Sequence, residues 1–238
     1  MFLAGTLFSQ KLSLTSHTLK DTSTAKKYEI TAYYPQADFG PDALMGVRGV
    51  ANDINNDIVD IINGQMISFR QAAEEVSSLD CALEQSNLEI NYSTAYKDNG
   101  YISVLFETFS NPRCAAHPMT FRTSFNYSYV SKGLLTIDSL FEKDSGWLEY
   151  ISDYCIKELK EKSKNDGLEN NEMSILSGAG AKPENFRTFT FNGNTLDIIF
   201  NLYQVGPYIW GFQTVSIPLK NLRKMLDGNG PLGFAVKK

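Results

Sequence analysis

Hydrophobic and polar residues alternate along several stretches of this chain, which is typical of half-buried strands. The stretch 26–34 alternates from Tyr28 to Tyr34, and Pro35 follows it, so we expect a strand that ends there. A shorter apolar stretch at 7–14 predicts an earlier strand. The chain is therefore expected to begin with two strands.

The spacing of the apolar residues changes after this point to steps of three and four. Apolar residues recur in this way from Leu44 to Phe69, which predicts an amphipathic helix of about thirty residues. Gly64 is the one position at which we expect the helix to be interrupted. Acids and amides occupy the opposite face, as expected for a helix that packs on a sheet.

A hairpin is predicted next, because Asn99-Gly100 separates two strand-like stretches at 87–97 and 101–110. This dipeptide favours a type I′ turn. The pattern predicts the remaining elements in order: a strand at 119–129, a helix at 147–162, a long exposed connection at 163–185, a hairpin of 186–191 with 195–202, a strand at 213–217, a short helix that begins at Pro218, and a flexible Gly-rich tail at 228–233.

Hairpins dominate this order of elements, which favours an antiparallel α+β protein. The chain has 238 residues, enough for one large domain or two small ones. We expect two small lobes of antiparallel, hairpin-rich sheet, each packed with helices. We place their boundary near residue 110, which gives an N-terminal domain at 1–110 and a C-terminal domain at 111–238.

Composition and charge restrict the function classes. The chain is 42% hydrophobic and 21% charged, as in a folded globular protein. With 22 basic and 27 acidic residues its formal net charge is −5, so it has no overall positive field that would attract nucleic acid. No apolar run is long enough to cross a bilayer. Residues 1–8 are interpreted as an ordinary first strand, or as what remains after removal of a longer leader.

The three cysteines show no C-x-x-C spacing, so neither a zinc ribbon nor a thioredoxin motif is expected. Continuing the register of the predicted hairpin outward places Cys114 opposite Gln85, four positions from Cys81. A disulfide between Cys81 and Cys114 is therefore geometrically compatible with this hairpin, and two ordinary thiols are the alternative. Cys155 lies on the apolar face of a predicted helix, where we expect a buried free thiol.

Few residues offer catalytic or metal chemistry, because the chain has only two histidines and no known catalytic motif. No metal or cofactor is predicted. His117 precedes a strand, where it could contact a ligand or could instead fix the strand-entry loop through backbone hydrogen bonds. Tyr203, Tyr208 and Trp210 alternate with glycines beside a turn. They could form a surface that contacts sugar or peptide, or an aromatic corner that locks the last hairpin to the core.

Several short segments, taken in their order along the chain, resemble a bacterial extracytoplasmic domain family of unknown function. This family is shared by the non-catalytic regions of the peptidoglycan deacetylase PdaC and the lysozyme-binding anti-sigma factor RsiV. The resemblance covers about residues 20–226. Its main segments are Ala115-Ala116-His117-Pro118, Ser124-Phe125-Asn126-Tyr127, Gly133 to Phe141, Leu196 to Phe200, Tyr203 to Tyr208, and Ile217-Pro218.

The resemblance implies a module exported to the periplasm or cell surface, whose partner is an envelope protein similar to lysozyme or a peptidoglycan fragment. The metal site of the deacetylase needs an Asp and paired histidines, so that activity is not expected here. We predict a non-enzymatic binding module with His117, Tyr203, Tyr208 and Trp210 as ligand contacts. The alternative is an unrecognised hydrolase of envelope glycans or peptides, centred on His117 and a nearby acid.

Overall fold

Six strands from the first part of the chain form one sheet in the order β1-β2-β3-β4-β5-β6. They are seen in a computed structural model that describes residues 11–236, apart from the side chain of Glu169. The strands are β1 (Ser13–Ser23), β2 (Tyr28–Asp38), β3 (Ser86–Asp98), β4 (Tyr101–Asn111), β5 (Met119–Ser128) and β6 (Gly133–Leu134).

The predicted long helix is α1 (Met45–Glu75), and it packs on one face of this sheet. Its apolar stripe, which includes Ile54, Ile58 and Ile62, is fully buried. Gly64 does not interrupt it. Because the helix carries the chain back to the end of the sheet where β2 began, β3 pairs with β2 in parallel. This parallel pair is an exception to the antiparallel pairing that the sequence predicted for the sheets.

The first two strands are longer than predicted. The strand expected at 7–14 lies largely outside the described residues, and β1 continues to Ser23. The sequence missed most of β1 because both faces of this outer strand are largely exposed, which weakens the alternating pattern. Pro35 lies inside β2 instead of ending it. β3 pairs with β2 only as far as Ala32, so beyond that point one edge of β2 has no ladder for a proline to disrupt.

The predicted Asn-Gly turn joins β3 and β4. Asn99 and Gly100 have φ values of 51° and 92°, and a type I′ turn requires positive φ at both positions. Asp98 pairs with Tyr101 as the turn demands. Further along, the register shifts by one residue at a bulge near Thr94, which increases the local twist of the sheet.

The second part of the chain forms a smaller antiparallel sheet in the order β7-β8-β9, surrounded by helices. Together the two sheets and their helices confirm the predicted α+β class. The elements are α2 (Trp147–Asn165), α3 (Glu172–Gly178), β7 (Phe189–Phe191), β8 (Thr195–Phe200), β9 (Gln213–Pro218) and α4 (Leu219–Leu222). Within the described residues, no helix has the length and apolar character needed to span a membrane.

Two segments expected to be exposed are instead packed against the second core. The segment 163–185 contains α3 and two short 3₁₀ helices, and Ile175 and Ala179 are buried. The Gly-rich stretch 228–233 was predicted as a flexible tail. Its Leu232 is fully buried, and a 3₁₀ helix begins at Gly233. Both segments make their apolar contacts through tertiary packing, which local periodicity does not reveal.

One buried core is formed by residues from Leu12 to Tyr129, and the other by residues from Ile137 to Ala235. The predicted boundary at residue 110 lies within β4, one residue before its end, and β4 pairs with β5 in the same sheet. The buried apolar residues change from one core to the other between Tyr129 and Ile137.

Buried polar side chains connect the two cores. The Ser103 hydroxyl donates to Asn126 Oδ1 (2.6 Å) and accepts from the backbone N–H of Phe191 (3.2 Å). Asn126 Nδ2 donates to the carbonyl of Phe189 (2.9 Å). Because these groups are shielded from water, each bond is costly to leave unmade. The bonds fix how β7 crosses the face of β4 and β5.

Candidate functional site

Three aromatic rings from two distant parts of the sequence meet on the protein surface. The ring centroids of His117 and Tyr208 are 5.3 Å apart with an interplanar angle of 47°. Those of Tyr208 and Tyr203 are 5.5 Å apart at 39°. All three side chains are exposed. We call His117, Tyr203 and Tyr208 the aromatic cluster. It unites three of the four residues that the sequence predicted as ligand contacts.

The loop that carries His117 begins at a buried arginine. The guanidinium of Arg113 donates hydrogen bonds of 2.8 to 3.3 Å to four backbone carbonyls just beyond the C-terminus of α1. The acceptors are the carbonyls of Val76, Ser77, Leu79 and Leu83. A cation is favourable there because the helix dipole places partial negative charge at that end. The sequence offered no signal for this role, which depends on contacts between residues 30 to 37 positions apart.

A disulfide joins the next residue, Cys114, to Cys81, with a Cα–Cα distance of 5.1 Å. The bond and Arg113 together tie the His117 loop to the segment after α1. Cys155, the remaining cysteine, is buried in the second core, and burial raises the pKa of its thiol well above the usual value. The loop carrying His117 is thus held at its start by both covalent and polar bonds.

The segment that carries the two tyrosines is attached to β5 by Asn201. The backbone N–H of Arg122 donates to Asn201 Oδ1 (2.7 Å), and Asn201 Nδ2 donates to the Arg122 carbonyl (3.0 Å). The Arg122 side chain pairs with Glu107 and lies 4.1 Å from the ring centroid of Phe212. These contacts place the tyrosine segment beside the strand that follows His117.

The same segment also packs closely on α3. Gln204 Nε2 donates to the carbonyls of Gly178 (3.1 Å) and Asn185 (2.8 Å). A Cβ atom at Gly178 would overlap the Gln204 carbonyl, and one at Gly206 would overlap the side chains of Asn171 and Trp210. These two glycines therefore permit the close approach of backbone that brings the tyrosines into place.

Trp210 does not join the cluster. Its indole is 9% exposed, and Nε1 donates to Asp166 Oδ2 (2.9 Å). Its carbonyl accepts from Gln213 Nε2 (2.6 Å). The structure therefore places Trp210 under the loop, where it supports the tyrosines from the inside. The residue beside it, Ile209, is the one whose side chain is exposed, with a relative accessibility of 87%. The sequence offered little reason to single out Ile209, because a single exposed apolar residue in a turn is common.

Tyr203 has a strained backbone. Its φ is 65°, in the left-handed region that favours glycine. A non-glycine residue held there costs on the order of 1 kcal/mol or more, and such residues occur often at functional sites. The conformation turns the Tyr203 ring outward beside Tyr208.

The exposed imidazole of His117 makes a hydrogen bond within its own loop. Its Nδ1 lies 3.0 Å from the carbonyl of Pro118, which is consistent with a proton on Nδ1 and an acceptor at Nε2 in the neutral ring. Among residues 11–236, no carboxylate is hydrogen bonded to this imidazole, and no group of three or more metal-ligating side chains occurs. The cluster offers flat rings, hydroxyl groups and one ring nitrogen to a ligand.

A known family model matches part of the second half of the chain. Residues 138–220 match the family model described as "Protein of unknown function (DUF3298)". This range contains Tyr203 and Tyr208 and excludes His117.

Two curated relatives are similar over a longer stretch. The peptidoglycan-N-acetylmuramic acid deacetylase PdaC of Bacillus subtilis is 25% identical over 159 residues, which are 66% of this chain and 33% of PdaC. The immunogenic protein MPT64 of Mycobacterium tuberculosis is 24% identical over 158 residues, 66% of each protein. The matched part thus spans about a third of the length of PdaC.

Solved structures show the same fold. A DUF3298 protein from Bacteroides fragilis aligns with a TM-score of 0.70 and 17% identity, covering 96% of this chain and 99% of that one. Another, from Pseudomonas aeruginosa, aligns with a TM-score of 0.62 and 13% identity over 91% and 96%. Residues 138–220 therefore match the DUF3298 family model, and the chain as a whole has the same fold as these two solved DUF3298 proteins.

Proposed function

We propose that this protein is a non-enzymatic, extracytoplasmic binding module that recognises a glycan of the cell envelope through the aromatic cluster. The observation that carries the proposal is the convergence of His117, Tyr208 and Tyr203 on one exposed surface. The segments that carry these exposed rings are attached to the rest of the fold by partly buried hydrogen bonds and by the disulfide.

The shape and chemistry of the cluster suit sugar rings. A pyranose has an apolar face of C–H groups that stacks on an aromatic ring, and its hydroxyl groups need polar partners nearby. Tyr203 and Tyr208 are 54% and 42% exposed, so both rings are accessible. Their hydroxyl groups and the His117 ring nitrogen supply donors and acceptors. The tilts between the rings give a curved platform that suits a chain of sugars better than a single flat molecule.

The platform is also pre-organised, which favours affinity. Asn201, Gln204 and the two close-packed glycines hold the tyrosine segment, while Arg113 and the disulfide hold the His117 loop. A ligand therefore has few side chains and little backbone to order when it binds.

The relatives support an envelope glycan as the ligand. PdaC is named as a deacetylase of peptidoglycan N-acetylmuramic acid, and this chain matches 33% of its length. The proposal does not include deacetylase activity, because that metal site requires paired histidines beside an Asp, and the two histidines of this chain lie apart: His17 against Tyr34 and His117 against Tyr208. Extracytoplasmic location is part of the same proposal.

The test is calorimetric titration with soluble muropeptides and with chitin oligosaccharides. We expect the wild-type protein to bind at least one of them, and Tyr203→Ala combined with Tyr208→Ala to weaken binding by about tenfold or more. Tyr33→Ala is the matched control, because Tyr33 is an exposed tyrosine on β2. Absence of binding by the wild-type protein, or equal affinity in the double variant, would overturn the proposal.

Two further arms distinguish the alternatives. Titration with lysozyme tests a protein partner, and lysozyme binding without glycan binding would contradict the glycan assignment. Incubation with muropeptides followed by chromatography tests hydrolysis. Turnover that His117→Ala abolishes without lowering the melting temperature would replace the binding module by a hydrolase. We expect unchanged muropeptides in both samples.

A further inference from the structure

A second surface feature lies on the other side of the large sheet. An open groove of about 560 Å³ separates the C-terminal half of α1 from the ends of β3, β4 and β5. Its lining includes Asp60, Gly64, Phe69, Leu88, Phe121 and Thr123. Phe69 and Leu88 belong to the first core, while Phe121 is 37% exposed, so the floor is apolar and accessible. The volume is in the range of known ligand sites.

The groove and the aromatic cluster face opposite ways. Successive side chains of a strand point to opposite faces of the sheet. Phe121 lines the groove beside α1, whereas the next residue, Arg122, lies over Phe212 in the segment that carries Tyr208. The two surfaces can therefore be tested separately, and an inference from the groove does not rest on the proposed glycan site.

Gly64 keeps the groove open. It lies in the interior of α1, where glycine is a poorer helix former than alanine. A Cβ atom there would have no heavy atom within 4 Å. Packing therefore does not require a glycine at this position. A larger side chain at 64 would project into the space between helix and sheet.

A row of acidic side chains on α1 extends to the groove. Asp53, Asp57, Asp60 and Gly64 are separated by four, three and four residues, so they share one face of the helix. Partial burial raises the pKa of Asp57, and the nearby Asp60 and Asp53 carboxylates raise it further. Asp60 is the charged residue in the groove lining, and no Lys or Arg lines it among the described residues.

We propose that this groove binds an amphipathic, positively charged peptide segment of a partner protein. Its apolar side chains would occupy the space between Gly64 and Phe121, and its Lys or Arg side chains would lie along Asp53, Asp57 and Asp60. This is the arrangement by which a helix binds in a groove. An anionic ligand such as a fatty acid would place its carboxylate beside Asp60 with no cation to balance it. Charge therefore decides between these two classes of apolar ligand.

The probe for the test is a fluorescein-labelled amphipathic peptide of Leu and Lys at helical spacing, measured by fluorescence anisotropy. We expect the wild-type protein to bind it, and the same peptide with Glu in place of Lys to bind about tenfold more weakly or not at all. Equal binding of the two peptides would overturn the charge assignment.

The deciding variant is Gly64→Leu, which fills the groove and should also raise the melting temperature because leucine is a better helix former. We expect it to weaken Leu-Lys peptide binding by about tenfold. Gly49→Leu is the matched control, since Gly49 is on the same helix, has equally open surroundings and lies outside the groove. If both variants bind as well as the wild type, the proposal is wrong.

A second variant covers the case in which Gly64→Leu folds poorly. Phe121→Gln removes part of the apolar floor at a partly exposed position and should also lose affinity for the Leu-Lys peptide.

Asp57→Asn with Asp60→Asn should weaken peptide binding and reduce the dependence of binding on salt. Tyr203→Ala with Tyr208→Ala should leave peptide binding unchanged. A loss of peptide binding in that double variant would contradict an independent groove.

Discussion

The side-chain amide of Asn201 hydrogen bonds both backbone groups of Arg122, as a neighbouring strand would. Oδ1 accepts from the Arg122 N–H at 2.7 Å, and Nδ2 donates to the Arg122 carbonyl at 3.0 Å. β6 pairs with β5 only at Tyr127 and Ser128, so the edge of β5 at Arg122 lies beyond its reach. The Asn201 side chain thus provides the hydrogen-bond partners for this part of the β5 edge and anchors the segment that carries Tyr203.

Replacing Asn201 by alanine should lower the free energy of unfolding by about 1–3 kcal/mol, because it leaves a partly buried N–H and carbonyl unpaired. The measurement is urea denaturation. Asn52→Ala, at an exposed position on α1, is the control and should change stability by no more than about 0.5 kcal/mol. If Asn201→Ala is as stable as Asn52→Ala, the two bonds do not anchor the segment.

Tyr203→Gly should separate the ring's role in binding from its role in stability. Glycine relieves the left-handed backbone, a gain of about 1 kcal/mol, and loses the contact with Tyr208, worth about 0.5–1.5 kcal/mol. We therefore expect a melting temperature close to that of the wild type together with weaker glycan binding. A large fall in melting temperature would show instead that the ring is mainly structural.

Arg113→Met should be among the most destabilising single changes in the first core. Arg113 is 4% exposed and its guanidinium donates to four carbonyls, and an apolar side chain would remove all of these partly buried hydrogen bonds. We expect a loss of about 3 kcal/mol or more in urea denaturation. Arg223→Ala, at an exposed position, should have little effect. Comparable losses in the two variants would contradict this account.

Reducing the Cys81–Cys114 bond should destabilise the protein without unfolding the rest of the fold. The bond closes a loop with a sequence separation of 33, for which chain entropy gives about 3–4 kcal/mol. Denaturation with and without dithiothreitol measures the difference, and Cys81→Ser with Cys114→Ser should reproduce it. Cys155→Ser should respond to the reductant as the wild type does, because that thiol is buried and unpaired. Equal stability of the oxidised and reduced proteins would refute the prediction.

Asp57 should make the protein less stable as pH rises. Partial burial raises the pKa of its carboxyl in the folded state, with Asp60 and Asp53 adding to the effect. The folded state therefore binds this proton more tightly than the unfolded chain, and its stability falls as pH increases through the folded pKa. Asp57→Asn should raise the melting temperature at pH 7, and the advantage should disappear at acidic pH where the carboxyl is protonated. An advantage of the same size at both pH values would contradict this linkage.

The periodicity of the sequence predicted those elements whose structure depends on residues close together in the chain. The apolar spacing from Leu44 to Phe69 predicted α1, and the Asn99-Gly100 dipeptide predicted the hairpin and its register. Both predictions succeeded because helix spacing and turn conformation are properties of short segments. The same reasoning did not predict the helix and the buried residues of the segment 163–185. Its helix α3 is short, and its burial depends on Gly178 meeting Gln204, a contact between residues 26 positions apart.

The candidate site divides in the same way. The sequence singled out His117, Tyr203 and Tyr208 from their residue types and turn-rich surroundings, and it gave Trp210 the same role. It could not show that the first three meet, nor that the fourth turns inward to Asp166. Which ring faces solvent depends on the packing of the loop against α3, which no local pattern encodes.

The sequence by itself determined the α+β class, the long helix, the Asn-Gly hairpin and the residue types available for binding, because each follows from local periodicity or composition. Only the tertiary structure decided the parallel pairing of β2 with β3, the packing of the Gly-rich stretch, and the meeting of His117 with the tyrosine segment. Those features arise from contacts between distant residues, whose energies depend on the packed whole.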